Sequence, residues 1–593
     1  MRNKFIAMVS AVLLVACSSE SQSGAQSNLV TQPSADKPNF LIIVADDMGW
    51  SDMGAFGGEI KTPNLDALAT RGAMMTSFYV GPTCSPTRAM LMTGIDNHTA
   101  GVGTMAGFNR PNQLTQNYQG QLHNDVVTLA EGLKAADYTT MMSGKWHLAK
   151  DAEQQPNIRS FDKSFTMDVV IGGHFGNSRP LHGVEGYETD VVRYIQDGES
   201  VEVEDDFYSS IDFTEKLLTF LDEKNDEKPF FAYLAFTAPH DPLQVPDEWL
   251  NKYAGVYDAG PKAIQQARLE NLKAKGLVAD GQPLWELPNF PPSLPLHERP
   301  WQERSEAERA QDTRPMEIYA SMIELMDAQI GRVIQKLADE GQLENTYIMF
   351  FSDNGASLTT PLIYPGNSIE SVKRDWPNTH SAPGTRHAFS VMGREWANVS
   401  NTPWRGFKAE MAEGGIRSPF VVAGPGIEAG TRIDDIGHVM DILPTLYSLT
   451  GFDPETSDLY KGKIQPQGVS LDGLWDGTQT DVRQSFGVEF FGRKGFRNGD
   501  WKITTLATHP KWQLFNMAVD PGEKNDLTET HPDILQALIK DYEAYAELNG
   551  VIPPKPALKL NPRFLYADPC DTACEQKFTD FMKRQKQKNK AAE

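Results

Sequence analysis

A chain of 593 residues with 40% hydrophobic and 23% charged residues is long enough for one large core and a smaller second unit, and its composition excludes a disordered or multiply membrane-spanning protein. A formal net charge of −24 argues against nucleic-acid binding, because phosphate backbones reward clustered Lys and Arg. An anionic substrate stays compatible if its site is a local island of cations in a repelling field.

The first residues read as an export signal. Arg2 and Lys4 form a basic start, Phe5 to Ala16 an apolar run too short to span a bilayer comfortably, and Cys17 follows. Leu14-Val15-Ala16-Cys17 is similar to a bacterial lipobox, which predicts lipidation at Cys17; an ordinary secretory signal is the other reading. Residues 1–17 are thus a signal and 18–36, rich in Ser and Gln, a flexible tether. The expected localisation is periplasmic or cell-surface, with membrane contact only through the lipid anchor.

Four short apolar runs predict buried strands: Phe40 to Val44, Tyr138 to Met142, Phe230 to Phe236 and Tyr347 to Phe351. Apolar residues at Ile318, Met322, Met326, Ile330, Val333 and Leu337 mark one face of a helix before the last of them. Alternating strand and helix signals predict an α/β sandwich on a mostly parallel sheet. The four runs lead into Asp46-Asp47, Lys145-Trp146-His147, His240-Asp241 and Asp353-Asn354-Gly355, so polar groups collect beyond the carboxyl ends of the strands, where α/β sheets bind ligands.

Beyond about residue 455 the texture changes. Phe486 to Phe491, Trp501 to Thr504 and Trp512 to Phe515 predict antiparallel strands, Asn498-Gly499-Asp500 a turn, and Pro532 to Leu548 a closing helix. This assigns 37–455 to a catalytic domain, 456–552 to a small α+β subdomain and 553–593 to a tail with a basic run. Of the four cysteines, Cys570 and Cys574 are spaced for a local disulfide, and Cys84 has no obvious partner.

Ser85-Pro86 followed by Thr87 to Met92 predicts a helix start, which puts Cys84 at a helix N-terminus and Arg88 one turn on along the same face. A buried Cys beside a surface Arg is an equally good reading of that spacing alone.

The stretch Pro82 to Gly94, PTCSPTRAMLMTG, resembles the type I sulfatase signature with its Cys-x-Pro-x-Arg core. Gly144-Lys145-Trp146-His147 resembles the second signature of that family, whose leading Gly is Asp137 here. The likeness runs from Pro38 to about Leu548 and is nearest to bacterial arylsulfatases. It implies an alkaline-phosphatase-like α/β sandwich and hydrolysis of sulfate monoesters to an alcohol or phenol plus sulfate.

The resemblance implies that a maturation enzyme oxidises Cys84 to formylglycine, whose hydrate offers one hydroxyl as nucleophile and a second that lets the covalent intermediate break down by elimination. It assigns Asp46, Asp47, Asp353 and Asn354, with the residue derived from Cys84, to a divalent metal. Three carboxylates and a carboxamide are hard oxygen donors that suit Ca2+, with Mg2+ second. It gives Arg88 and Lys145 to the nucleophile and sulfate oxygens, His147 to elimination, and His240 and Lys408 to the leaving group. Phosphate or phosphonate ester hydrolysis and a non-catalytic surface lipoprotein are the rival functions. The expected substrate is a sulfated small molecule or saccharide; segments 160–209, 253–299 and 358–401 are expected to shape the pocket rim. Trp376, Trp396 and Trp404 are expected in core or rim packing.

Overall fold

Strand β1 (Asn39–Ala45) sits at the centre of the main sheet with every residue buried. Successive side chains of a strand face opposite ways, and here both ways lead inward. Leu41, Ile43 and Ala45 join one apolar cluster, Phe40, Ile42 and Val44 another. A strand buried on both faces reads as an unbroken apolar run, which is why it stood out in the sequence. The computed structural model describes residues 37–555, apart from 107, 168–171, 177, 182–190, 225–226, 288–300, 360, 362–363 and 365–366. The signal, the tether, most of the tail and the Cys570–Cys574 pair lie outside the described residues.

The other strands of this sheet are β2 (Ala73–Tyr79), β3 (Thr139–Gly144), β4 (Lys163–Met167), β5 (Tyr194–Gln196), β6 (Glu199–Val201), β7 (Phe230–Ala235), β8 (Thr346–Ser352), β9 (Arg417–Ala423), β10 (Thr431–Ile433) and β11 (Gly437–His438). Their order is β10-β2-β9-β8-β1-β7-β3-β4-β5-β6, with β11 also on β2. Six pairings are parallel and four antiparallel, so the sheet is mostly parallel, as expected. Helices Pro63–Arg71, Ser209–Glu223 and Glu306–Asp339 contribute to the first cluster; Cys84–Thr93, Leu129–Ala135 and Ile442–Thr450 contribute to the second. The long helix is capped by Ser305 and Glu308, and buries all six residues of its predicted apolar face. Among the described residues no helix is long and apolar enough to cross a membrane.

Strands β12 (Ser485–Phe490), β13 (Arg493–Asn498), β14 (Trp501–Thr504) and β15 (Gln513–Asn516) form a separate antiparallel sheet in sequence order. Helix Pro532–Leu548 covers one face through Leu538 and Tyr542. The other face meets the large unit through Phe486, Val488 and Phe490 against Tyr79, Met411 and Ile416. Buried ion pairs reinforce that junction: Lys502 Nζ lies 2.7 Å from Glu413 Oε1 and 2.8 Å from Glu523 Oε1. His98 bridges Asp96, at 2.8 Å, and Glu489 of β12, at 3.0 Å. Leu471, Leu474 and Trp475 belong to the core under the main sheet. Asp137, at the signature's glycine position, has φ 71, a left-handed turn conformation that Asp tolerates better than most residues.

Candidate active site

The strands β8, β1, β7 and β3 are adjacent in that order, and their carboxyl ends bring the predicted polar groups to one edge. Asp46 and Asp47 follow β1, Asp353 and Asn354 follow β8, Lys145 follows β3, and His240 lies in the loop after β7. Gly144, at φ 116, lets the chain turn there: a Cβ would stand 1.9 Å from the Ala235 carbonyl oxygen. Gly355 is needed for close approach, since a Cβ would stand 1.8 Å from the carbonyl oxygen of Gly414. The Gly414-Gly415 turn is thereby pressed against the loop that carries Asp353.

Cys84 is the first residue of helix Cys84–Thr93, preceded by the extended Thr83, and all ten helix residues are buried. Arg88, one turn on, is buried rather than on the surface. Its Nε and Nη2 donate to Asp353 Oδ2 at 3.0 and 2.8 Å, and its Nη1 donates to the Lys145 carbonyl at 2.8 Å. Thr87 Oγ1 donates to the Asp353 carbonyl at 2.6 Å. The helix is thus fastened directly to the loop after β8.

Lys145 Nζ donates to Asp46 Oδ2 at 2.6 Å. Lys408 Nζ and Asn354 Nδ2 donate to Asp47 Oδ1 at 2.6 and 2.7 Å, while His240 Nε2 stands 3.5 Å from Asp47 Oδ2. Every residue singled out in the sequence lies in this assembly or, for His147, beside it. Ligand atoms of Asp46, Asp47, Cys84 and His240 all lie within 4.8 Å of one another. That set shares Asp46, Asp47 and Cys84 with the sequence-derived one and has His240 in place of Asp353 and Asn354; the Asp353 Oδ2 is turned to Arg88. We favour the oxygen set. Asp46 Oδ1, Asp47 Oδ2 and Asn354 Oδ1 are buried without any hydrogen-bond partner, a costly condition that a bound cation relieves.

The electrostatics follow from burial and neighbours. Burial raises the Asp46 carboxyl, but Lys145, His240, Arg88 and Lys408 outweigh it and hold it well below the usual carboxylate range. Burial and the Asp46 charge push Asp353 up to about 6 despite Arg88. Burial, then Asp353 and Asp46, push the Cys84 thiol far up, so the encoded side chain is a neutral thiol and not a nucleophilic thiolate. Burial and the cations Lys145 and Arg88 hold His147 well below its usual range, and both its ring nitrogens lack partners. Asp46, Asp47 and Asp353 face Arg88, Lys145 and Lys408, three negative charges against three positive. Adding a divalent cation makes the site net positive, which suits an anion.

Three residues at the site hold a left-handed backbone. Asp47, His147 and Ala409, the last beside Lys408, have φ of 71, 60 and 68, each costing on the order of 1 kcal/mol outside glycine.

The sequence profile of the family described as Sulfatase matches residues 38–452. The chain belongs to the sulfatase family. It is 38% identical to an arylsulfatase of Klebsiella aerogenes, over 74% of this chain and 92% of that protein. It is 36% identical to an uncharacterized sulfatase of Schizosaccharomyces pombe, over 88% of this chain and 95% of that one. Among solved structures, Ps i-CgsB in complex with k-i-k-neocarrahexaose matches with a TM-score of 0.60 and 22% identity, covering 92% of this chain and 98% of that one. The fold is therefore the alkaline-phosphatase-like one of this family, and the chain is a sulfuric ester hydrolase.

Two contributors to this sulfatase site were not assigned from sequence. His174 pairs through Nδ1 with Ser209 Oγ at 2.8 Å and places Nε2 2.9 Å from the His240 carbonyl, so it backs the His240 loop. Tyr364 donates to Asp241 Oδ2 at 2.9 Å. Neither carries a motif, and only the folded geometry reveals them. Trp376, Trp396 and Trp404 are buried in the core.

Proposed function

We propose that this sulfatase cleaves sulfate monoesters with Cys84 as the precursor of its nucleophile. The observation that carries this reading is the buried helix N-terminus at Cys84, ringed by Arg88, Lys145 and Lys408 and by three orphaned ligand oxygens. Oxidised to formylglycine and hydrated, Cys84 supplies a hydroxyl where its Sγ now stands. Asp46, Asp47, Asp353 and Asn354 would hold a divalent cation, Ca2+ ahead of Mg2+, their hard oxygen donors suiting either and disfavouring zinc; when bound, it would polarise the sulfate and acidify that hydroxyl.

The chain's own groups do the rest. Arg88 fixes Asp353 and the Cys84 helix together, and Lys145, held by Asp46, presents its charge to the sulfate oxygens. His147, neutral and without partners, takes the proton whose removal releases sulfate. His240 and Lys408 each stand against an oxygen of Asp47 and stabilise or protonate the departing oxygen. The substrate is a sulfated small molecule or a sulfated saccharide.

The remaining assignments rest on sequence pattern. Residues 1–17 export the protein and anchor it through lipid at Cys17, 18–36 tether it, and 37–455 form the catalytic domain. Residues 456–552 are a subdomain rooted under the main sheet by Leu471, Leu474 and Trp475.

The deciding experiment expresses the chain with a formylglycine-generating enzyme, maps the Cys84 peptide by mass spectrometry, and compares aryl sulfate with aryl phosphate turnover. Conversion to the aldehyde together with preferred sulfate turnover supports the proposal. An intact thiol in active protein, or faster phosphate turnover, overturns it.

A further inference from the structure

Arg493 opens strand β13 of the small antiparallel sheet, and it is buried, 7% exposed, where that sheet meets the large unit. The chemistry described above makes no use of it. Its Nη1 donates to the backbone carbonyl of Ala409. Ala409 directly follows Lys408, whose Nζ donates to Asp47 Oδ1 at 2.6 Å. A side chain of the C-terminal subdomain thus holds the backbone next to the leaving-group lysine.

Phe407 to Glu410 form a tight turn, closed by the Glu410 N–H donating to the Phe407 carbonyl at 3.0 Å. Ala409 is its third residue, with φ 68, the left-handed value that a type II turn requires there and usually gives to glycine. An alanine in that position is strained, so the turn depends on outside support. Relaxation to a type I turn flips the peptide between Lys408 and Ala409. The N–H of that peptide donates to the carbonyl of Pro82, two residues before Cys84, at 2.6 Å. A flip would therefore break a contact beside the reacting centre as well as turn Lys408.

The turn is fastened on three sides. Toward the catalytic centre, besides the Pro82 contact, the Lys408 N–H donates to the Ala356 carbonyl at 3.1 Å. Beneath, the turn lies on Gly415, where a Cβ would stand 2.2 Å from the Glu410 carbonyl oxygen and 2.5 Å from that of Phe407. On the side of the small sheet, Arg493 takes the carbonyl of the strained residue itself. Glu410 and Glu489 are the charges that face the guanidinium there, and they offset part of the cost of burying it.

We propose that Arg493 is a positioning residue for Lys408: by holding the Ala409 carbonyl it keeps the Phe407–Glu410 turn in the strained form that aims the Lys408 ammonium at Asp47 and the departing oxygen. This rests on the leaving-group reading of Lys408. Arg493 acts through the backbone and not by touching the substrate. The C-terminal subdomain is thereby a working part of the catalytic centre.

The test measures kcat and KM of the matured enzyme on two esters. Phenyl sulfate has a leaving oxygen that needs help with its charge, and 4-nitrophenyl sulfate has one that needs little. Arg493→Met is expected to lower kcat on phenyl sulfate by about tenfold to a hundredfold. On the nitrophenyl ester kcat should change by less than about threefold, with KM nearly constant for both. Lys408→Ala should show the same selectivity, and adding Arg493→Met to it should cost less than about twofold more. Adding Ala409→Gly to Arg493→Met relieves the turn and should restore most of the lost kcat. Lys494→Gln lies on the opposite face of β13, beside Trp512 and Tyr542, and should lower Tm while leaving both rates within about twofold. Should Arg493→Met fail to fold, Arg493→Lys keeps the charge but displaces it, and is expected to show the same selectivity at about threefold. An unchanged kcat, an equal loss on both esters, full additivity with Lys408→Ala, or the same pattern in Lys494→Gln overturns the role of Arg493 and leaves the reading of Lys408 standing. A Lys408→Ala variant that loses equally on both esters overturns the reading of Lys408, and this proposal with it.

Discussion

Arg88 places two hydrogen bonds on one oxygen of Asp353, Nε at 3.0 Å and Nη2 at 2.8 Å, both to Oδ2. The other oxygen, Oδ1, is left toward the backbone N–H of Asp47 at 3.3 Å. A lysine keeps the charge but cannot make both contacts and also reach the Lys145 carbonyl. Arg88→Lys is expected to fold with a lowered Tm and to lose at least about a hundredfold in kcat, since a misplaced positioning group costs that much. Steady-state kinetics and a melting curve on the same preparation check both.

Metal removal tests the orphaned oxygens. Exhaustive chelation is expected to abolish turnover, with Ca2+ restoring it better than Mg2+. Asp46→Asn and Asp353→Asn should each depress the rate severely and weaken metal binding measured by titration calorimetry. Protons compete for the same carboxylates. Because Asp353 is pushed up to about 6 by burial and the Asp46 charge, cation affinity of the metal-free protein should fall as pH drops through that value. Activity that survives chelation refutes the metal assignment.

Cys84→Ala removes the precursor of the nucleophile while deleting only a small buried group. Turnover should vanish, with circular dichroism unchanged and Tm lowered by no more than a few degrees. Retained turnover would eliminate Cys84 from the chemistry.

His98 provides a pH test away from the metal. Burial opposes its protonation, but Asp96 and Glu489 prevail and raise it to about 9, and Tyr118 and Tyr545 are its other titratable neighbours. A histidine whose folded pKa exceeds its unfolded value contributes stability that is complete below about 6.5 and lost as pH rises through about 9. Wild-type Tm should therefore decline across that window more steeply than in His98→Gln, as followed by differential scanning calorimetry.

Much of this was legible in the sequence. The four central strands announced themselves because burial on both faces demands unbroken apolar runs, and their ends carried the charged groups. Strand β9 was not recognised: it carries Pro419 and follows directly on the Gly414-Gly415 turn, which masks it. Strand β13, Arg493-Lys494-Gly495-Phe496-Arg497-Asn498, reads as a polar loop, since its arginines are buried by pairing rather than by being apolar. The partnership of Arg88 with Asp353 spans 265 positions, and no local pattern encodes such a distance. Lys408 likewise looks like a surface lysine until the fold lays it against Asp47.

The burial of Cys84, only 1% exposed at the start of a wholly interior helix, imposes a schedule on the proposed maturation. An oxidising enzyme has to grip the peptide around the side chain, and the closed fold offers it no handle. Conversion and folding are then competitors for the same nascent chain. A molecule that closes first keeps its thiol and stays inactive, and adding the maturation enzyme afterwards should not rescue it unless the chain is unfolded again. The specific activity of any preparation would then record how that race was run inside the producing cell.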